Sequence, residues 1–356
     1  MNTDNLKNWV CLHPFNYMDV QSGGKLYMCC PSWLPNDLSQ DGQLSITEGW
    51  NSKLADKIRD SVTDGSYSYC DHNLCPDLSN ILKNNKPNNK SSFSLKEDFV
   101  RPEAPSPEHI LFGQDRSCNL KCPSCRFDLI PNSKLQSEEH IQKQNIQSQI
   151  EDNFSESIKI ISLTGSGDPI YSKLYRNYLQ NFDVSKYPNL KEIHIITNGV
   201  LLDQKMWESF ACKDYITLID ISFDAGTKNT YENITRLGGD WDKLTNNLKF
   251  LANLQDGRER AINLSYVVTQ YNYKEMHELV TIASDIFSNR SNKCLNQYFI
   301  NFRQIVYWET GAYTQEQVKE ISVFEPDHPE HEQFLQELQK IKNNKKISHN
   351  FHHLLK

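Results

Sequence analysis

Three cysteines within eight residues, Cys118, Cys122 and Cys125, constrain this chain more than any other feature of its sequence. Their C-x3-C-x2-C spacing includes Pro123, so the stretch is predicted to be a loop. Three thiolates on one tight loop can each bind a different iron of a four-iron cluster, which normally takes four thiolates. One iron then stays open for a small ligand, which is typical of catalytic metal centres. The alternative is a zinc site with a fourth ligand elsewhere, although zinc ribbons favour paired C-x2-C knuckles and the sequence has no second knuckle.

The composition narrows the function classes. A net charge of −7 argues against a general nucleic-acid binder. No apolar run approaches the roughly 18–20 residues that a membrane span needs, and Met1–Lys7 does not resemble a secretory signal. We therefore expect a cytoplasmic protein without a membrane partner, in which ten cysteines indicate metal binding and not disulfides. Cys212 and Cys294 stand alone and are expected to pack in the core.

Residues 1–81 are predicted to form a small cysteine-rich domain of a β-hairpin and a helix. Gly23-Gly24 indicates a tight turn that brings Cys11 close to Cys29. Trp50–Val62 has the apolar spacing of an amphipathic helix. The further cysteines of this domain are Cys30, Cys70 and Cys75. A domain this small has a marginal core, so we expect a metal cluster to hold it together, the alternative being a set of unliganded thiols.

The rest of the chain is predicted to comprise a polar linker over 82–108, an α/β domain over 109–325, and a helix with a polar tail over 326–356. In the α/β domain, six strand-like segments alternate with helix-like ones, which predicts parallel βαβ units. The predicted strands are Ile110–Gly113, Ile158–Thr164, Glu192–Thr197, Ile216–Phe223, Ala261–Thr269 and Gln297–Gln304. The helix-like segments lie near 134–150, 171–181, 203–211, 241–254 and 273–288.

Polar or glycine-containing residues follow five of these strands. In parallel α/β folds the chemistry lies at the carboxyl ends of the strands, so these residues are expected to line one mouth. There, Asp168 can accept hydrogen bonds from an ammonium group and Asp224 from a ribose. Strand ends are also often turns of purely structural origin, which is the alternative for each motif taken alone.

Together these motifs resemble the radical S-adenosylmethionine (SAM) superfamily over about residues 109–306. The resemblance implies a partial (β/α)6 barrel of the TIM type, in which Cys118, Cys122 and Cys125 hold a [4Fe–4S] cluster and SAM chelates the fourth iron. The residues implied to bind SAM are Ser166, Gly167, Asp168, Pro169, Asn198, Ser222, Asp224, Arg236, Val268 and Asn272. Two positions depart from the family pattern. Asp168 replaces the usual glutamate, and Ser124 stands where many members have an aromatic residue.

The cysteine-rich domain resembles the SPASM and twitch domains, which carry auxiliary clusters and normally follow the barrel. Cys11 and the Gly24-x4-Cys29 element match the pattern of those domains. The resemblance implies one auxiliary [4Fe–4S] cluster on Cys11, Cys29, Cys70 and Cys75, with Cys30 as a spare or an alternative ligand.

The resemblance also implies an activity. It is that of an oxidoreductase that cleaves SAM reductively to methionine and a 5′-deoxyadenosyl radical, which abstracts a hydrogen atom from a substrate. A flavodoxin- or ferredoxin-type donor is implied as the source of the electron. A peptide or protein is the expected substrate, and a sugar or nucleotide-linked sugar is the alternative. A zinc-binding module and an electron-transfer protein are the non-enzymatic alternatives.

Overall fold

The computed structural model describes residues 3–89, 92–291, 293–308, 311–351 and 354. Contacts between residues divide the chain into two compact units. Unit 1 comprises Met1–Asp115, Ser133–Ser166 and Asp183–Glu192, and unit 2 comprises Arg116–Asn132, Gly167–Phe182 and Ile193–Lys356. These boundaries differ from the four predicted segments, and strand pairing within unit 1 explains the difference.

Parallel strands form the centre of unit 1. Its strands are β1 (Trp9–Cys11), β2 (Tyr17–Gln21), β3 (Leu26–Tyr27), β4 (Phe93–Leu95), β5 (His109–Gly113) and β6 (Ile160–Leu163). Its helices are α1 (His13–Asn16), α2 (Ile46–Trp50), α3 (Lys53–Asp64), α4 (Pro76–Asn84) and α5 (Glu138–Phe154). Strands β6, β5, β2 and β3 lie side by side in that order, and only β3 is antiparallel to its neighbour. Because β2 pairs with β5, residues 1–81 share their sheet with the α/β segment.

Five parallel strands form the centre of unit 2 and lie in chain order. They are β7 (Glu192–Thr197), β8 (Ile216–Ser222), β9 (Ala261–Val268), β10 (Gln297–Gln304) and β11 (Ile347–His349). The helices are α6 (Lys173–Gln180), α7 (Gln204–Glu208), α8 (Lys228–Thr230), α9 (Trp241–Ala252), α10 (Met276–Ser288), α11 (Gln315–Glu320) and α12 (His331–Ile341). The chain therefore has a mixed α/β fold with largely parallel strands.

The six predicted strands of the α/β segment are confirmed within two residues at each end, and five helices lie where helices are predicted. The strands form because their apolar side chains can be buried. Ile193, Ile195, Ile219 and Ile221 are at most 1% exposed. The helices begin at side-chain caps, since Ser137 accepts from His140 N at α5 and Asp240 accepts from Lys243 N at α9.

The amino-terminal hairpin differs from its prediction in one strand. The Gly-Gly turn is present, with positive φ at Gly23 and Gly24, and it joins β2 to β3. However, Cys11 lies on β1, which pairs with β4 and not within the hairpin. The predicted helix over Trp50–Val62 is also divided into α2 and α3.

Two predicted irregular segments contain strands. Phe93–Leu95 of the predicted linker forms β4, because Phe93 packs in an apolar cluster with Val10 and Leu78. Ile347–His349 of the predicted polar tail forms β11 beside β10. The later tail residues 352, 353, 355 and 356 lie outside the described residues.

Cys212 and Cys294 are 0% and 4% exposed, as predicted for core residues. In the part of the chain that the structure describes, no helix is both long and apolar enough to cross a bilayer.

Asp19 makes the stability of unit 1 dependent on pH. Its carboxyl is 2% exposed, and burial raises its pKa to about 7, although Gln21 Nε2 donates to it at 2.5 Å. Because this folded pKa exceeds the unfolded value of about 4, the contribution of Asp19 to stability is complete below about pH 4 and is lost as the pH rises through about 7. We expect Asp19→Asn to flatten this slope and to raise the free energy of unfolding at pH 8 by about 2–4 kcal/mol. Urea denaturation of both proteins at pH 5 and pH 8 measures this, and equal slopes would contradict it.

Candidate functional site

The three-cysteine loop is tightly folded within unit 2. Cys118 forms an isolated bridge with Ile130, and the amide of Cys125 donates to the carbonyl of Cys122 at 2.9 Å. Cys118 and Cys122 are buried and Cys125 is half-buried, and all three pack with Leu120 in one cluster. Burial raises the pKa of Cys118 to about 12. Ionised sulfurs at this place therefore need nearby donors or positive charge.

Each of the three sulfurs receives such a donor. Asn198 Nδ2 lies 3.9 Å from Cys118 Sγ, and the amide of Leu120 donates to the same sulfur at 3.5 Å. Arg236 Nη1 donates to Cys122 Sγ at 3.4 Å, and Arg126 Nη2 donates to Cys125 Sγ at 3.4 Å. Both guanidinium groups are largely buried, so their charges act strongly on the sulfurs. The donor set is therefore arranged for thiolates, and hydrogen bonds of this kind tune the potential of iron–sulfur clusters.

Two kinds of metal centre remain predictions for these sulfurs. Zinc holds each sulfur at about 2.3 Å, whereas in a four-iron cluster each thiolate binds its own iron.

Asp168 fastens the loop after β6 to the end of β7. Its Oδ1 accepts from the amides of Ile170 and Tyr171 at 3.0 and 2.9 Å. Its Oδ2 accepts from Thr197 Oγ1 and the amide of Asn198, both at 2.8 Å. A carboxylate has about four acceptor positions, and four protein donors use them here. The prediction that Asp168 accepts from an ammonium group stays untested, and a ligand would have to displace one of these donors.

Asp224 and Arg236 form a buried ion pair beside Cys122. Arg236 Nη2 lies 2.5 Å from Asp224 Oδ2, and Asp224 Oδ1 accepts from the amide of Val267 at 2.7 Å. Burial alone lowers the pKa of Arg236, but the charges of Asp224 and Cys122 raise it above its ordinary value. Asp224 has a φ of 55°, a strained conformation for this residue type, and Arg236 follows a π-helical turn at Tyr231–Thr235. Both features are common at functional sites.

A cavity lies against this ion pair and the cysteine loop. It is lined by Pro123, Ser124, Asp224, Ile234, Thr235, Val267, Thr269, Tyr271, Asn272 and Tyr313. Asn272 is 1% exposed, and its Nδ2 donates to the carbonyls of Asp224 and Val267 at 2.9 Å. The predicted SAM residues Asp224 and Asn272 therefore meet at one cavity, where Asn272 also holds the Asp224 segment in place.

The remaining predicted SAM residues occupy strand ends. In unit 1, the hydroxyl of Ser166 donates to the carbonyl of Gly113 at 2.7 Å. In unit 2, Gly167 is half-buried and Pro169 is buried before α6, Ser222 ends β8, and Val268 ends β9 at 0% exposed. Their contacts with SAM stay predictions.

Four cysteines of unit 1 line a second, apolar cavity. They are Cys11, Cys29, Cys70 and Cys75, the four predicted as auxiliary ligands. Burial raises the pKa of each of these thiols. The described lining residues do not include Cys30, whose sulfur instead accepts hydrogen bonds from Ser32 and the amide of Trp33.

Comparison with known proteins identifies a family for the segment that contains the cysteine loop, Asp224 and Asn272. Residues 116–283 match the model of the radical SAM superfamily. This segment is a radical SAM superfamily domain. Such domains bind a [4Fe–4S] cluster and SAM, in agreement with the donor set around Cys118, Cys122 and Cys125.

The chain is also similar to two curated proteins. GTP 3′,8-cyclase of Clostridium perfringens (strain 13 / Type A) is 27% identical over 172 residues, which are 47% of this chain and 49% of that protein. The same enzyme of strain SM101 is 28% identical over 170 residues, which are 47% and 48% of the two chains. The chain thus spans about half the length of the curated relatives it matches.

Two solved structures are similar at low identity. One is TYW1 with a lysine–pyruvate adduct bound, at 15% identity and a TM-score of 0.39, covering 64% of this chain and 70% of that one. The other is native anSMEcpe with bound AdoMet, at 17% identity and a TM-score of 0.40, covering 58% of this chain and 55% of that one.

Sequence reasoning missed two residues, one of them in the radical SAM domain. Arg126 follows the third cysteine directly, and a cation adjacent to a thiol was a signal that could have identified it. Tyr313, beyond that domain, gave no such signal, because it reaches the cavity from a segment far along the chain.

Proposed function

We propose that this protein is a radical SAM enzyme. In this proposal, one electron from a flavodoxin- or ferredoxin-type donor cleaves SAM to methionine and a 5′-deoxyadenosyl radical, which takes a hydrogen atom from the substrate and becomes 5′-deoxyadenosine. Cys118, Cys122 and Cys125 would hold a four-iron cluster, which would supply an open iron for SAM and the electron for its cleavage. The observation that carries the proposal is the loop of three cysteines, each of whose sulfurs receives an N–H donor.

The chain's own residues prepare this site in three ways. Arg126 and Arg236 offset the negative charge of the thiolates in a buried setting. Asp168 and Asn272 hold the strand-end loops rigid through their hydrogen bonds. The segment after β10 lies over the cysteine loop, where the amide of Ala312 donates to the carbonyl of Pro123 at 2.9 Å. Such a cover keeps water from a reactive radical.

We further propose that Cys11, Cys29, Cys70 and Cys75 hold an auxiliary [4Fe–4S] cluster of the SPASM or twitch kind. The support is their position around one apolar cavity. A four-iron cluster, with one thiolate for each iron, fits four cysteines around a cavity.

A peptide or protein is the proposed substrate class. Four apolar side chains that follow strands β9 and β10 of unit 2 are exposed, namely Tyr271, Val306, Tyr307 and Trp308. Phe127 and Leu129, which follow the three cysteines in the chain, are exposed too. Exposed apolar and aromatic groups of this kind are typical of polypeptide-binding surfaces.

The name of the two curated relatives supports a second candidate, a purine nucleoside triphosphate. The aligned residues are about half of each chain, so this support concerns only that part of the relatives. A sugar or nucleotide-linked sugar is the third candidate class.

The proposed function is tested by reductive cleavage of SAM. We expect the anaerobically reconstituted protein to form 5′-deoxyadenosine and methionine when it receives SAM and dithionite, as measured by liquid chromatography with mass spectrometry. A protein that carries its iron but forms neither product above the protein-free background would overturn the proposal.

A further inference from the structure

The sheet of unit 2 has two different faces. On one face the side chains are apolar and at most 1% exposed, among them Ile219, Ile221, Ile262, Leu264, Ile300 and Phe302. The other face is polar across three strands. Asp220 of β8 lies beside Asn263 of β9, and Ser265 of β9 lies beside Asn301 of β10. Strands buried on both faces are usually apolar throughout, so this polar face needs a separate reason.

Asp220 is the central group of this face. Its Oδ2 accepts from Asn263 Nδ2 at 2.6 Å and from Arg303 Nη2 at 3.3 Å. The residue is only 9% exposed, and its other oxygen, Oδ1, is buried without a hydrogen-bond partner among the described residues. An unsatisfied buried acceptor costs roughly 1–3 kcal/mol, and more when it is charged. A native protein keeps such a group where a ligand or an ordered molecule supplies the donor.

Arg303 supplies donors next to this acceptor. Its side chain remains 48% exposed while it pairs with Asp220. With the amide of Asn301 turned so that its oxygen faces Arg303, that oxygen accepts from Nε and Nη2 at 2.9 and 3.1 Å. The guanidinium is thereby held in one orientation with part of its surface open to a ligand.

The polar face lies next to the strand segment that lines the cavity of unit 2 beside Asp224. Arg303 is the register partner of Val267 on β9, and the amide of Val267 donates to Asp224 Oδ1 at 2.7 Å. Asp224 in turn pairs with Arg236, which donates to Cys122. Arg303, which pairs with Asp220, therefore lies beside the strand segment that holds Asp224.

We propose that Asp220, Asn263 and Arg303 form a substrate subsite that binds the backbone of an extended polypeptide. An extended residue presents its own N–H and C=O on the same side, as in a hydrogen-bonded pair of antiparallel strands. Asp220 Oδ1 accepts from the N–H, and Arg303 donates to the C=O. The subsite deepens the proposed function, on which it rests, by selecting a peptide within the substrate classes.

The exposed apolar side chains at the carboxyl ends of the strands fit the same occupant. Tyr271 follows β9, and Val306, Tyr307 and Trp308 follow β10, the strand that carries Arg303. Side chains of a bound polypeptide would find apolar contacts there, which a sugar or a triphosphate does not require.

The test is binding of two neutral probes to the reconstituted full chain with SAM present. The probes are acetylated, amidated tetra-alanine and methyl glucoside, and saturation-transfer NMR measures their affinities. We expect the wild type to bind the peptide, and Asp220→Asn and Arg303→Gln each to weaken that binding about ten-fold, the loss of one hydrogen bond to a charged group.

A matched pair provides the control. Asp214 and Arg258 form an exposed ion pair at 3.2 Å, before the amino ends of β8 and β9. Asp214→Asn and Arg258→Gln remove the same charges there and should leave peptide binding at the wild-type level. Thermal denaturation separates binding from folding. Asp220→Asn keeps the shape of the side chain and an oxygen that can accept from Asn263 and Arg303, so it should leave the melting temperature near that of the wild type.

Each other outcome overturns the subsite. Peptide binding that is equal in wild type and both variants, no peptide binding by the wild type, or stronger, variant-sensitive binding of the glucoside would each do so. Formation of 5′-deoxyadenosine by the wild type is measured in the same samples. If it occurs while the peptide result fails, only the subsite is wrong, and if it fails, the proposed function is wrong.

Discussion

Replacing Cys118, Cys122 and Cys125 together with alanine is expected to reduce 5′-deoxyadenosine formation to the background. The three sulfurs are the proposed protein ligands of the cluster that holds SAM, so none of its iron can be retained without them. Iron should fall from roughly eight to roughly four atoms per chain, the number in one remaining four-iron cluster. Iron analysis and product assays on anaerobically reconstituted protein measure both effects.

Two buried cysteines provide the control for this variant. Cys212 and Cys294 are 0% and 4% exposed and lie outside both proposed cluster sites. Replacing both with alanine should retain the iron of the wild type, although small cavities will lower stability. Persistent 5′-deoxyadenosine formation by the triple variant would show that other groups hold the catalytic iron.

Replacing Cys11 and Cys29 with alanine is expected to halve the iron content by removing the proposed auxiliary cluster of unit 1. Both line the apolar cavity of unit 1 with Cys70 and Cys75, and a four-iron cluster cannot be held by the remaining two thiolates. The iron that remains should be that of the three-cysteine loop, whose electron paramagnetic resonance (EPR) signal responds to SAM. Iron analysis and EPR of the reduced variant measure this.

Cys30 is the matched control, because it neighbours Cys29 but its sulfur is bound by its own turn. Cys30→Ala should keep the full iron content. A single Cys29→Ala variant completes the comparison. If Cys30→Ala loses iron while Cys29→Ala keeps it, Cys30 and not Cys29 is the cluster ligand. If neither the double variant nor Cys30→Ala loses iron, unit 1 holds no cluster.

The strand positions were predictable from the sequence because buried parallel strands have a strong signal. Apolar runs such as that around Ile219 and Ile221 can only be buried, and polar or glycine-containing ends follow them. The loop of three cysteines was equally clear, since thiols at this spacing have few other uses. The short strands β4 and β11 were not predictable, because each depends on a partner far along the chain.

Roles of single polar side chains were less predictable than their positions. The sequence places Asp168 and Asn272 at strand ends, and the structure does so too. The sequence does not reveal that Asp168 accepts four hydrogen bonds from the protein. Nor does it reveal that the side-chain amide of Asn272 donates to two backbone carbonyls. Such bonds depend on loop conformations, for example the positive φ of Asp224, which no periodicity encodes.

The most direct test of the central claim is the EPR spectrum of the reduced Cys11→Ala/Cys29→Ala protein with SAM that carries ¹⁷O in its carboxylate. This variant retains only the cluster on Cys118, Cys122 and Cys125, so the spectrum reports on that cluster alone. The account predicts that the signal changes when SAM is added and broadens further with the ¹⁷O label, because SAM binds the iron that lacks a cysteine. A signal that is identical without SAM, with SAM and with labelled SAM would contradict it.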